Sequence, residues 1–196
     1  MNGSLMHHDS DSKRRRAGMA GRKTRERADA VQLRRLYIDC RYGQLHLTTA
    51  YPRSGGFDER TPLLMLHGEG GGGADFREVA ANLGSDRSVY APDLPGCGNS
   101  DGPQRPTAAS QVAGLADLLD ALRLKEVDVV GSGHGAQVAF ELAAARPQQV
   151  RRLAVSGQAP AAATSKPLLQ LAADPARCAG DAAGRVVDEL RRFLDR

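Results

Sequence analysis

The sequence predicts an α/β chain built on a doubly wound, mostly parallel sheet with helices on both faces. Two observations carry that prediction. Short apolar runs of strand length alternate with longer segments whose apolar residues recur at helical spacing. Three glycine-rich turns, at 67–73, 93–98 and 131–135, each follow one of the short runs. Ligands of such folds bind at the carboxyl ends of the strands, so the three turns are expected to share one rim of the sheet.

In chain order, "VQLRRLYID" and "QLHLTTAYP" are rich in β-branched, aromatic and leucine residues, and Tyr42-Gly43 between them suits a hairpin turn. "TPLLMLHG" is a buried strand ending at His67-Gly68, followed by the glycine loop "EGGGG" and a helical "DFREVAANL". "SVYAPDLPG" is a further strand and turn. In "TAASQVAGLADLLDALRL", Thr107 is the expected N-cap, and Val112, Leu115, Leu118, Leu119 and Leu122 form the apolar stripe. "EVDVVGS" is a strand, "HGAQVAFELAAAR" a helix stopped before Pro147, and "VRRLAVSG" the last clear strand.

Charge divides the chain. Residues 1–28 hold eight Lys/Arg against Asp9, Asp11 and Glu26, whereas the remainder holds 19 basic and 20 acidic residues. The first 28 residues have few apolar side chains and no helical stripe, so they read as a disordered basic tail. A solvated tail, an overlong start with Met19 as initiator, and a basic arm for nucleic acid or anionic lipid all fit this composition. The near-neutral body continues no positive patch, which speaks against nucleic acid as a partner of the domain. Cys40, Cys97 and Cys178 lie far apart without metal-ligand spacing. They read as reduced thiols of a cytoplasmic protein, with no metal or organic cofactor implied. No run approaches a membrane span, and no secretory signal is expected.

The stretch "VVGSGHGAQVAF" admits two readings. Gly131, Gly133 and Ala136 spell a dinucleotide loop, but that loop needs an acidic residue at the end of the following strand. The sequence there offers Ser156, Gly157 and Gln158. Gly131 and Gly135 alternatively frame a nucleophile elbow, G-x-S-x-G, in which Gly133 stands at the serine position. Together with "LLMLHGEGGGGADF" and "VYAPDLPGCGNSD", in that order and spacing, the segment from Val31 to Gly157 resembles the α/β-hydrolase superfamily, in its esterase, peptidase and dehalogenase-like branch.

That resemblance implies an oxyanion hole from the backbone N–H groups of Glu69 and His134. His67, Gly68, Gly70, Asp93, Ser100, Gly131 and Gly135 would form the rim of the pocket, with Asp93 and Ser100 shaping a turn and His67 acting as a hydrogen-bonded turn residue. It also exposes what is missing. Glycine has no side chain to attack an acyl group. Ser132 is the substitute nucleophile to consider, but neighbouring strand residues face opposite ways, so it should point away from the pocket. The family order is nucleophile, acid, histidine. Yet His7, His8, His46, His67 and His134 all precede the end of the elbow helix, and "SGQAP" holds no carboxylate.

The domain is expected over 31–196. From 156 onward it should form a partial lid and then a closing helix, "RVVDELRRFLDR", with Val186, Val187, Leu190, Phe193 and Leu194 facing inward. Asp174, Asp181, Asp188 and Glu189 fall on sequence with no strand before them. With further strands skipped, 150–156 would be an exposed edge open to self-association. Three functions fit. The first is a non-catalytic or impaired hydrolase homologue that holds a small acyl or ester-like ligand. The second is an active ester hydrolase with unconventional residues or a base supplied by a partner, and the third is a basic arm on a carrier domain.

Overall fold

The structure is a computed structural model describing residues 31–52, 60–157 and 164–196. The predicted basic tail, 1–28, lies outside the described residues. A hairpin opens the sheet: β1 (Val31–Cys40) and β2 (Gly43–Pro52) pair antiparallel with Cys40 opposite Gly43. The two-residue loop is therefore Arg41-Tyr42, one position earlier than the sequence suggested. Gly43 absorbs the turn with φ at 118°.

β3 (Leu63–Leu66), β4 (Val89–Pro92), β5 (Val127–Ser132) and β6 (Val150–Ser156) form the parallel centre. The full sheet has seven strands in the order β1-β2-β4-β3-β5-β6-β7, where β7 is Leu168–Gln170. A 3-10 turn, Gly73–Phe76, leads into α1 (Arg77–Leu83). The other helices are α2 (Ala108–Ala121), α3 (His134–Ala145) and α4 (Asp181–Leu194).

Strand periodicity explains why the central strands read as unbroken apolar runs. Leu64 and Leu66 pack with α2 and α3, while Leu63 and Met65 pack with α1 and α4. Both faces are covered, so both faces must be apolar. Thr107 caps α2 as expected: its hydroxyl accepts from the Ser110 N–H at 3.2 Å, and Ser110 Oγ accepts from the Thr107 N–H at 2.9 Å.

Two expectations are corrected on the far side of the sheet. The segment expected to open a lid instead adds β7, which pairs parallel with β6 through Leu153–Leu168, Ala154–Leu169 and Val155–Gln170. Strand 150–156 is consequently not an edge, and self-association through it loses its basis. The reason is local. "PLLQL" is itself a short apolar run, and its backbone takes up the free groups of β6: Pro167 O accepts from the Leu153 N–H, and Val155 O accepts from the Leu171 N–H. The outer strands among the described residues are β1 and β7. No helix among the described residues is long and apolar enough to cross a membrane.

At the opposite rim from the glycine turns, arginines tie α4 to the sheet. Arg151 forks onto the buried Asp128, and Arg151 and Arg152 donate to the last carbonyls of α4, Phe193 O and Leu194 O. The fully buried Arg87 pairs with Asp86 and Asp195, and Asp195 also pairs with Arg60.

Candidate active-site cleft

The cleft is built where β3 and β5 end. Gly133 follows β5 with φ 52° and ψ −117°, a conformation most residues adopt only under strain. It turns the chain sharply from strand to helix. A Cβ on Gly131 would come within 2.6 Å of Ala136 Cα, and one on Gly135 within 2.2 Å of Leu66 O. Glycine at both places lets α3 lie directly against the sheet.

A model describing the alpha/beta hydrolase fold matches residues 61–195. The chain belongs to this family. As an α/β-hydrolase it is 39% identical over 106 residues to a 2-hydroxymuconate semialdehyde hydrolase from Pseudomonas sp. (strain CF600), covering 50% of this chain and 36% of that protein. It is 39% identical over 104 residues to a 2-hydroxy-6-oxo-2,4-heptadienoate hydrolase from Pseudomonas putida, covering 49% and 37%. Among solved structures, the epoxide hydrolase CorEH superposes with a TM-score of 0.58 at 26% identity, covering 64% of this chain and 42% of that one. The chain thus spans between 27% and 37% of the length of these and similar curated relatives.

Within this α/β-hydrolase fold, Gly68, Glu69, Gly133 and His134 line one cleft of about 500 Å³. The two backbone positions expected to form an oxyanion hole therefore border the same space. Asp174 and Arg177 line the same cleft. Gly70 and Asp93 line a second cleft instead, whereas His67, Ser100, Gly131 and Gly135 line neither of the two and serve packing and turns.

Ser132 is 1% exposed and lies beneath the elbow. Its hydroxyl donates to Asp174 Oδ1 at 2.6 Å and sits 3.2 Å from Ser156 Oγ. The Ala176 N–H donates to the same carboxylate oxygen at 3.0 Å. Asp174 is the residue that the sequence reading set aside. It follows β7 rather than lying on strandless sequence, and the signal was there in "PLLQL", an apolar run ending at small residues just before it.

The three described histidines are all engaged elsewhere. His67 Nδ1 donates to Gly68 O at 2.8 Å, and its Nε2 accepts from the Leu94 N–H at 2.9 Å. One neutral tautomer satisfies both, so His67 clamps the β3 turn to the β4 turn. His134 Nε2 donates to Gln111 Oε1 at 2.7 Å. His46 Nδ1 donates to Asp93 Oδ2 at 3.1 Å. Asp93 also accepts from the N–H groups of Gly73 and Asn99, at 2.7 and 2.9 Å. Burial pushes its carboxyl up, but those backbone donors and His46 together hold it below the ordinary aspartate value. Ser100 Oγ donates to Asp93 O and accepts from the His46 N–H. Asp93 and Ser100 thus pin three segments of the rim together. No cluster of three or more His, Cys, Asp or Glu suited to a metal occurs among the described residues.

Proposed function

We propose that this chain is an α/β-hydrolase homologue whose catalytic constellation is incomplete, and that its cleft holds a small acyl or ester-like ligand without turning it over. The observation that carries the reading is the elbow itself. Gly133 keeps the backbone geometry of a nucleophile turn while offering nothing to attack with. The hydrogen bonds of His46, His67 and His134 support it further, because none of the three partners Ser132 or Asp174. A general base has to reach the proton that it removes. The activities for which the relatives are named, hydrolysis of 2-hydroxymuconate semialdehyde among them, favour a small carbonyl compound as the ligand. Cys40, Cys97 and Cys178 are free thiols, in keeping with a reducing, cytoplasmic setting.

One observation favours an active enzyme. Ser132 Oγ lies 2.6 Å from a carboxylate. Against it, that hydroxyl is sealed under the elbow, where a substrate carbonyl has no approach.

The test is hydrolysis of p-nitrophenyl acetate and butyrate by the purified protein and by Ser132→Ala, alongside saturation-transfer NMR of the butyrate ester. The expected result is a rate at the buffer level for both proteins, with saturation transfer to the acyl chain. Turnover that vanishes in Ser132→Ala would overturn the proposal in favour of a working hydrolase. An ester that is neither cleaved nor bound would remove the ligand from it.

A further inference from the structure

The glycine loop has a cleft on each side. Gly71 and Asp75 line both, so the loop is a shared wall. The elbow cleft carries Glu69, Asp75 and Asp174 against Arg177. The second cleft, between the loop and the β1–β2 hairpin, has a volume of about 470 Å³. Small-ligand sites span roughly 300–1,000 Å³. Its charge is of the other sign: Arg34, Arg35 and Arg77 line it with only two carboxylates, Asp75 and Asp93.

Both carboxylates accept hydrogen bonds from the protein, the buried Asp93 and the exposed Asp75 alike. Asp75 Oδ2 accepts from the Gly72 N–H at 3.0 Å. Asp93 accepts from Gly73, Asn99 and His46. The exposed guanidiniums of Arg35 on β1 and Arg77 on α1 thus come from two separate elements onto one cleft. Its wall also includes His46, a polar side chain only 6% exposed. With Nδ1 committed to Asp93, Nε2 is the ring's other polar atom.

We infer that this second cleft binds a small oxyanion, a phosphate or carboxylate group, between Arg35 and Arg77, at a site separate from the elbow. The planar fork of a guanidinium matches two oxygens of either anion. Gly70, with φ at 68°, has no atom within 4 Å of where a Cβ would be, so the loop leaves the cleft open on that side. An anion seated there would also order the loop that carries Glu69, and so reach the elbow cleft through their common wall.

The experiment is a 1H–15N NMR titration of the full chain with inorganic phosphate and, separately, with acetate. The Arg35→Gln/Arg77→Gln double variant is compared with Arg105→Gln, a change at an exposed arginine outside the cleft. The expected result is saturable shifts at the amides of Gly70, Gly71, Gly72 and Asn99. Affinity should fall about tenfold in the double variant, as for loss of a charge-assisted contact, and stay unchanged in Arg105→Gln. A response to phosphate alone assigns the site to phosphate-type ligands, and a response to acetate alone to carboxylates. No saturable shift with either anion, or an equal loss in Arg105→Gln, would overturn the inference. Unchanged amide positions in β5 establish that the double variant is folded.

Discussion

Gly133 makes the turn between β5 and α3 in a left-handed conformation. A Cβ added there meets Gly68 Cα at 3.6 Å, an ordinary contact, so space does not forbid a serine. The backbone does resist it, since φ is 52° and such strain costs about 1–3 kcal/mol. Gly133→Ser should therefore fold with a lowered melting temperature and leave p-nitrophenyl acetate at the buffer rate. Hydrolysis that appears only with this one change would mean that a base does reach position 133. Ser132 invites a second test. Ser132→Ala removes the donor 2.6 Å from Asp174 Oδ1, and hydrogen bonds to a charged group contribute roughly 1.5–3 kcal/mol. Urea unfolding should show a loss of that order. No change would mean that water replaces the hydroxyl without cost.

At the scale of elements, α4 is held by its apolar stripe and by the arginines at its end. Leu190 is fully buried against α1 and the sheet. Leu190→Ala should destabilise by about 2–5 kcal/mol, read as a lower urea midpoint with an unchanged slope. A loss well under 1 kcal/mol would place α4 outside the cooperative core. This helix was legible as a stripe of Val186, Val187, Leu190 and Leu194, all buried. Phe193 is only partly buried and lies beneath Arg152, whose guanidinium carbon is 5.8 Å from the ring centre. β7 left only a faint signal, the short apolar run "PLLQL". Three residues give too short a pattern to tell a strand from a loop, and only the unpaired side of β6 makes them one.

For the whole molecule, the rim is one hydrogen-bonded unit, and Asp93 is its most connected carboxylate. Its folded pKa is depressed below 3.8, so its contribution is complete above the unfolded value and is lost as pH falls through the folded one. Acid should loosen the β2, glycine-loop and 93–100 contacts together. Asp93→Asn should be less stable at neutral pH and show a shallower loss of stability below pH 3.8. Equal acid slopes in the two proteins would assign acid unfolding to other carboxylates.

The sequence by itself determined the α/β class, the order of the elements through β6, the cap at Thr107 and the glycine at the elbow position. Each of these rests on residues near one another in the chain: short unbroken apolar runs, helical stripes, and glycines that a turn or a close approach requires. Only the tertiary structure decided which side chains meet. Ser132 and Asp174 are 42 residues apart, and His46 and Asp93 are 47 apart. Their contact depends on strand order and register, and no local pattern encodes those. The placement of β4 between β2 and β3, and of β7 beside β6, brings His46 to Asp93 and Asp174 to Ser132. Burying both faces of the sheet at once selects that order.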